Sequence, residues 1–238
     1  MSRPFHFKQF SIRQDHAAMK VGTDSVLLGA WVSMKDPKNI LDIGCGTGLL
    51  SLMMAQRSTE AQIIGIDIEP DALIDARFNI DNSKWANRIK LFNESILEFT
   101  IDTKFDLLIT NPPYFPLDTL APDQKRALAR SGENYSFQSW MEAIAGLLST
   151  SAKVAFIMPI EEWLNCKDSL IELGFGICRI CYVRPNQQKE VHRVMIELQK
   201  SKLSDSVIKE ELIIEKVKRH DYTEEYKELT RSFYLKMR

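Results

Sequence analysis

Long hydrophobic runs are missing from this 238-residue chain. VLLGAWV and VAFIM are typical of its apolar stretches, and neither approaches the roughly 18 residues that a membrane-spanning helix needs. The start, MSRPFHFKQF, has no apolar signal core, so a cytoplasmic location and no membrane partner are expected. Charge of one sign is also missing. A net charge of −1 and a pI near 6.5 exclude a whole-protein field for polyanions, so any nucleic-acid surface must be a local patch. The four cysteines (Cys45, Cys166, Cys178, Cys181) are scattered and do not read as a disulfide framework. Cys178 and Cys181 form CRIC, but GFGICRICYV reads as a strand, where residues three apart face opposite sides. With no second CxxC and with His6, His16, His192 and His220 dispersed, no metal site is expected. Repeats and low-complexity segments are absent.

What is present is the 45% hydrophobic, 26% charged composition of an ordinary globular protein, long enough for a sizeable core. From Asn39 onward, short apolar segments alternate with amphipathic ones. The expected strands are NILDI, QIIGID, RIKLF, FDLLIT, KVAFIMP, FGICRICYV and RVMIELQ, with helices beginning near Leu49, Pro70, Phe137 and Ile160. This predicts an α/β fold, a doubly wound, mostly parallel seven-stranded sheet of Rossmann-like type. A short lead-in helix from about Ser25 to Met34, capped by Thr23 or Asp24, precedes it, and ELIIEKV can add a further strand. One domain is expected over 1–238, with a lead-in (1–38), a core (39–199) and a C-terminal extension (200–238). The segment from Phe115 to Tyr135 reads as a long loop.

The first core strand runs into Asp42-Ile43-Gly44-Cys45-Gly46-Thr47-Gly48 and then directly into LLSLMMAQR. Glycines here allow a tight strand-to-helix turn and close approach of a ligand to the backbone. A dinucleotide fingerprint would place its third glycine at Leu49, so a pyrophosphate cradle is disfavoured; the shorter spacing suits S-adenosylmethionine, which carries no phosphate. Nineteen residues beyond Gly48, Asp67 ends the second strand, where a doubly wound fold places an acid on ribose hydroxyls, with Ile68 beside it to pack on an adenine. Asp42 either helps hold the cofactor's ammonium or fixes the turn. After the third strand, the position where an acid often meets the adenine amino group is read as Ser95, which leaves that contact unassigned.

The fourth strand, FDLLIT, ends in Asn111-Pro112-Pro113-Tyr114-Phe115-Pro116. Two prolines stiffen this stretch and exclude a helix, holding a polar amide and an aromatic ring at set positions beyond a strand end. Such a site suits a flat polar group.

A glycine loop after strand one and NPPY after strand four resemble amino-methyltransferases that act on a planar nitrogen. The resemblance implies that the Asn111 side-chain carbonyl and the Pro112 backbone carbonyl accept hydrogens from the target NH2, while Tyr114 stacks on its plane. Alignment of this kind can supply about 7–11 kcal/mol of a barrier, so no dedicated base is required. Stacking on Tyr114 is worth about 1–3 kcal/mol per base, similar to the cost of unstacking one. NPPY alone leaves adenine N6, guanine N2 and a protein glutamine amide open as targets, and a non-catalytic binding module is a further alternative. FKQFSIRQDHAAMKVGTDSVLLGAW, LDIGCGTGLLSLMMAQR, TNPPYF, HRVMIELQ and YTEEYKELTRSFYLKM together resemble the bacterial tRNA1(Val) adenine-N6 methyltransferase family across nearly the whole chain. That resemblance implies a tRNA substrate methylated 3′ of the anticodon. It also brings Lys20, Thr23 and Asp24 of KVGTD to the methionine end of the cofactor, beside their alternative role as a cap and solvated charge. A tRNA substrate requires phosphate contacts, so Arg3, Lys8 and Arg13, or the KRALAR loop (Lys125 to Arg130), are expected near Asn111. KEVHR (Lys189 to Arg193) and KVKRH (Lys216 to His220) are further basic clusters. The sequence points to no oligomeric state.

Overall fold

The computed structural model describes residues 3–112, 137–200 and 206–237. The lead-in forms a short hairpin, β1 (Phe5–His6) and β2 (Ser11–Ile12), followed by helix α1 (Thr23–Trp31). The core then alternates: β3 (Asn39–Ile43), α2 (Leu49–Arg57), β4 (Gln62–Ile66), α3 (Pro70–Asp81), β5 (Ile89–Phe92) and β6 (Phe105–Thr110). After them come α4 (Phe137–Leu147), β7 (Leu148–Pro159), α5 (Ile160–Glu172), β8 (Phe175–Asn186) and β9 (Arg193–Lys200). Strand β10 (Ile208–Glu215) and helix α6 (Glu224–Thr230) end the chain.

Eight strands share one sheet in the order β10-β8-β9-β7-β6-β3-β4-β5. Strand β9 runs antiparallel to β7 and β8, and every other pairing is parallel. The eighth strand is the ELIIEKV segment, which adds to the parallel edge of β8. Leaving β3, the chain builds outward through β4 and β5, then crosses back to β6 on the other side of β3. This reversal opens a crevice at the carboxyl ends of β3 and β6, where doubly wound folds bind ligands.

The strands read as continuous apolar runs because both sheet faces are covered. Side chains alternate between two cores: Ile40, Leu107, Ile109, Ala155 and Ile157 enter one with α1 and α2, while Leu41, Phe105, Leu108, Val154 and Phe156 enter the other with α4 and α5. Each aliphatic or aromatic side chain removed from water in this way contributes about 1.5–3 kcal/mol.

The lead-in holds one element not expected from the sequence, the hairpin, and its helix corrects the expected start and cap. The hairpin packs on the chain's end, where Phe7 bridges to Tyr234 and stacks on it at 5.8 Å. Helix α1 starts two residues earlier than expected and ends at Trp31; its N-cap is Gly22, with no side-chain cap, so neither Thr23 nor Asp24 caps it. Both lie inside its first turn. No helix among the described residues is long and apolar enough to cross a membrane.

Candidate active site

The turn from β3 into α2 is built from its own backbone. Gly44 and Gly48 have φ of 66° and 78°, left-handed values that strain other residues. A β-carbon on Gly48 would meet Ile80 and Ala76 at 3.4 and 3.5 Å, ordinary contact distances, so it is the left-handed φ that calls for glycine there. Gly44 and Cys45 donate their N–H groups to the Ile66 carbonyl, Gly48 donates to Cys45, and Gly46 donates to Asp67 Oδ2 at 2.7 Å. These four amides are therefore already engaged, and a carboxylate lies beside them. An anionic pyrophosphate would find these four donors taken and a carboxylate beside them, an unfavourable potential for it. The other Asp67 oxygen accepts from Glu69 N at 2.9 Å, and burial pushes the carboxyl above its ordinary pKa despite these hydrogen bonds. Behind the loop, fully buried Asp42 accepts from the Ser51 backbone at 2.9 Å and the Ser51 hydroxyl at 2.6 Å. Its Oδ1 is buried without a partner among the described residues, and desolvation pushes the carboxyl up to about 7.

A cavity of about 400 Å3 opens above the loop, roofed by the lead-in from Ala17 to Ser25. Lys20, Thr23, Asp24, Gly44, Gly46, Asp67, Ile68, Asn111 and Pro112 all line it. Asp42, Gly48 and Ser95 do not. Asp42 and Gly48 hold the turn from behind, whereas the Ser95 hydroxyl turns into its own loop and accepts from Leu97 N at 3.3 Å. Glu94 and Ile96 face the cavity in its place. The Asn93 amide, which donates to the Asp67 carbonyl at 2.8 Å, sets this register. The signal in the sequence was that Glu94 is the one carboxylate between Asn93 and Ile96.

Sheet pairing brings the second motif to the same wall. Thr110, the last residue of β6, lies opposite Ile43, the last residue of β3, so Asn111 emerges beside Gly44. The Asn111 amide nitrogen donates to Ser25 Oγ at 3.0 Å. Asp24, one residue earlier, accepts from Arg193 Nε at 2.8 Å, tying the start of α1 to the top of β9. Pro112 also borders a smaller hollow of about 190 Å3, shared with Phe137, Met158 and Glu162. Pro113, Tyr114 and Phe115 lie outside the described residues.

Comparison with known proteins gives this arrangement a family. Residues 16–133 match the methyltransferase small domain. A tRNA1(Val) (adenine(37)-N6)-methyltransferase of Trichodesmium erythraeum is 40% identical over 236 residues, covering 98% of each chain, and one of Bacteroides thetaiotaomicron is 38% identical over the whole of both. The chain belongs to the tRNA1(Val) (adenine(37)-N6)-methyltransferase family. Its fold is that of class I methyltransferases. A solved structure described as a predicted O-methyltransferase of Agrobacterium tumefaciens superposes with a TM-score of 0.69, covering 88% of this chain and 96% of that one, at 17% identity. The N-methyltransferase NodS of Bradyrhizobium japonicum, solved with S-adenosyl-L-homocysteine, gives 0.53 over 74% and 84% at 15% identity.

In this tRNA1(Val) methyltransferase family member, two residues expected to meet phosphate are otherwise occupied. Arg13 donates through Nε to Asp75 at 2.8 Å and through Nη2 to the Ile74 carbonyl, and its guanidinium lies 3.9 Å from the centre of the Phe78 ring. Lys8 donates to the Arg231 carbonyl. Arg13 thus serves to anchor the lead-in, and the KRALAR loop lies outside the described residues. Cys181 enters the core while Cys178 meets Gln199 Oε1 at 3.7 Å. Among the described residues no group of three His, Cys, Asp or Glu could hold a metal ion.

Proposed function

We propose that this chain transfers a methyl group from S-adenosylmethionine to N6 of an adenine in tRNA, the adenine 3′ of the tRNA(Val) anticodon being the target that its relatives' names specify. The observation that carries this reading is the meeting of Asn111 and Pro112, at the end of β6, with the glycine loop at the end of β3 in one cavity wall.

The cavity fits the cofactor. Its volume lies within the range of small-ligand pockets. The engaged amides of the glycine loop and the adjoining Asp67 favour a ligand without phosphates. Asp67 accepts the ribose hydroxyl hydrogens, Glu94 accepts from the adenine amino group, and Ile68 and Ile96 supply apolar surface for the ring. Lys20 and Thr23 sit where the methionine carboxylate needs donors, and the Asp24–Arg193 pair holds that corner. Gly44 and Gly46 let the ligand approach the backbone, whereas Gly48 shapes the turn. Asp42 fixes the start of α2 through Ser51, and Ser95 shapes its own loop.

Bound there, the cofactor supplies an electrophilic sulfonium methyl. The chain's part is alignment. A ring-conjugated amine is a poor nucleophile, and acceptance of its hydrogens by Asn111 Oδ1 and the Pro112 carbonyl turns the nitrogen lone pair toward the methyl. The hollow on the far side of Pro112 gives the target base an approach, with Pro113 and Tyr114 completing the clamp. Residues 1–238 work as one methyltransferase unit in this reading, the lead-in (1–38) roofing the cavity of the core and the extension (200–238) bracing the lead-in.

The test is to supply labelled S-adenosylmethionine with unmodified RNA and protein, then identify the labelled product. N6-methyladenosine next to one anticodon supports the proposal. Labelled N2-methylguanosine, label in protein glutamine, or cofactor binding without turnover would each overturn it.

A further inference from the structure

The geometry points to Ser25 as a positioning residue that anchors the Asn111 amide nitrogen and so holds the accepting oxygen toward the substrate. The inference rests on the transfer reaction proposed above. An asparagine amide has an accepting end and a donating end, and only the accepting end can draw a hydrogen from a target NH2. Presenting the other end would set donor against donor.

Two of the constraints on Asn111 come from the backbone. Thr110 lies in the ladder with Ile43, and Pro112 restricts the residue before it to extended geometry. The side chain keeps its freedom about χ1 and χ2, and χ2 in asparagine is broad and roughly two-fold, so a contact from elsewhere in the fold is needed to hold it. Ser25 makes that contact: a hydroxyl can accept or donate, and here it accepts from the Asn111 Nδ2 group at 3.0 Å, which leaves Oδ1 for the target amine.

Ser25 is itself held firmly. It lies in the first turn of α1, next to Asp24, whose carboxylate meets Arg193 Nε at 2.8 Å. The following residues, Val26, Leu27 and Leu28, are wholly buried. The hydroxyl is therefore carried on a helix that cannot shift without disturbing the core. Eighty-six positions separate the two residues, which is why no local pattern reveals the pair.

The experiment compares Ser25→Ala, Ser25→Thr and Ser25→Val with wild type on an unmodified tRNA1(Val) transcript. Threonine keeps the hydroxyl, and valine has threonine's shape without it. Expected for Ala and Val is a fall in kcat of about tenfold, the equivalent of about 1.4 kcal/mol, with KM for tRNA, the Kd of S-adenosylhomocysteine and Tm near wild type. Threonine restores most of kcat. An unchanged kcat in Ala and Val, a Kd that rises in step with the loss of kcat, or a threonine variant as slow as valine would overturn the inference. If Ala misfolds, the Thr and Val pair decides. No methyl transfer by the wild-type protein would instead overturn the reaction on which the inference rests.

Discussion

Replacing Asp75 by alanine should release the roof of the cavity proposed to hold the cofactor. The Asp75 side chain, on α3, is fully out of solvent and accepts four hydrogen bonds from the lead-in: His16 N at 2.7 Å, Ala17 N at 3.1 Å, Arg13 Nε at 2.8 Å and His16 Nδ1 at 3.1 Å. Not all four count equally. The His16 ring is 47% exposed and can turn to water, and Arg13 keeps the Ile74 carbonyl and the Phe78 ring. The two backbone donors carry most of the loss. Hydrogen bonds to a charged acceptor contribute about 1.5–3 kcal/mol each, so loss of these two in Asp75→Ala should cost about 3–6 kcal/mol of unfolding free energy. Asparagine at this position keeps one acceptor and should fall between. The lead-in from Ala17 onward lines the cavity, so a detached lead-in must be re-ordered by the ligand, and S-adenosylhomocysteine should bind about tenfold more weakly or worse. Urea unfolding followed by circular dichroism measures the first effect and calorimetric titration the second. A variant within about 1 kcal/mol of wild type that binds the ligand normally would refute the reasoning.

Further outcomes follow from the same geometry. Glu94→Ala should raise the Kd for S-adenosylhomocysteine by about tenfold or more, whereas Ser95→Ala should leave it nearly unchanged, because only Glu94 faces the cavity. The reverse order in a titration would return the adenine contact to Ser95. Asp42 has a folded-state pKa of about 7, above the unfolded value, so the folded state holds the extra proton as pH rises from about 4 to 7 and this group's contribution to stability is lost across that window. Asp42→Asn should flatten the fall, which amounts to up to about 4 kcal/mol; an unaltered pH profile in thermal unfolding would contradict the assignment.

Much of the fold could be read from the chain because burial on both faces leaves long apolar strands. NILDI, FDLLIT and RVMIELQ are of this kind, and the helices begin at Leu49, Pro70, Phe137 and Ile160 as periodicity indicates. The hairpin of β1 and β2 was not legible: each strand has two residues, too few for a pattern, and its partner Tyr234 is more than 200 residues away. Thr23 and Asp24 are residue types that favour a cap, but the helix begins at Thr23 itself, and the cap position falls on Gly22, where the lead-in enters in extended geometry. Composition could not tell that Arg13 is committed to Asp75, since that pairing exists only after α3 packs on the lead-in. Among the site residues, the glycine loop and Asn111 were evident because both motifs are local. Glu94 and Ser25 were not, because loop register and a contact across the fold decided them.

In the proposed reaction Asn111 aligns the target amine at a site where the cofactor binds independently of it. Single-turnover methyl transfer to unmodified tRNA1(Val), measured for Asn111→Ala beside its affinity for S-adenosylhomocysteine, tests this most directly. The expected result is a rate lowered by about 100-fold or more with the ligand bound nearly as in wild type. A variant that methylates at the wild-type rate, or one that loses rate only in proportion to lost ligand affinity, would contradict the account.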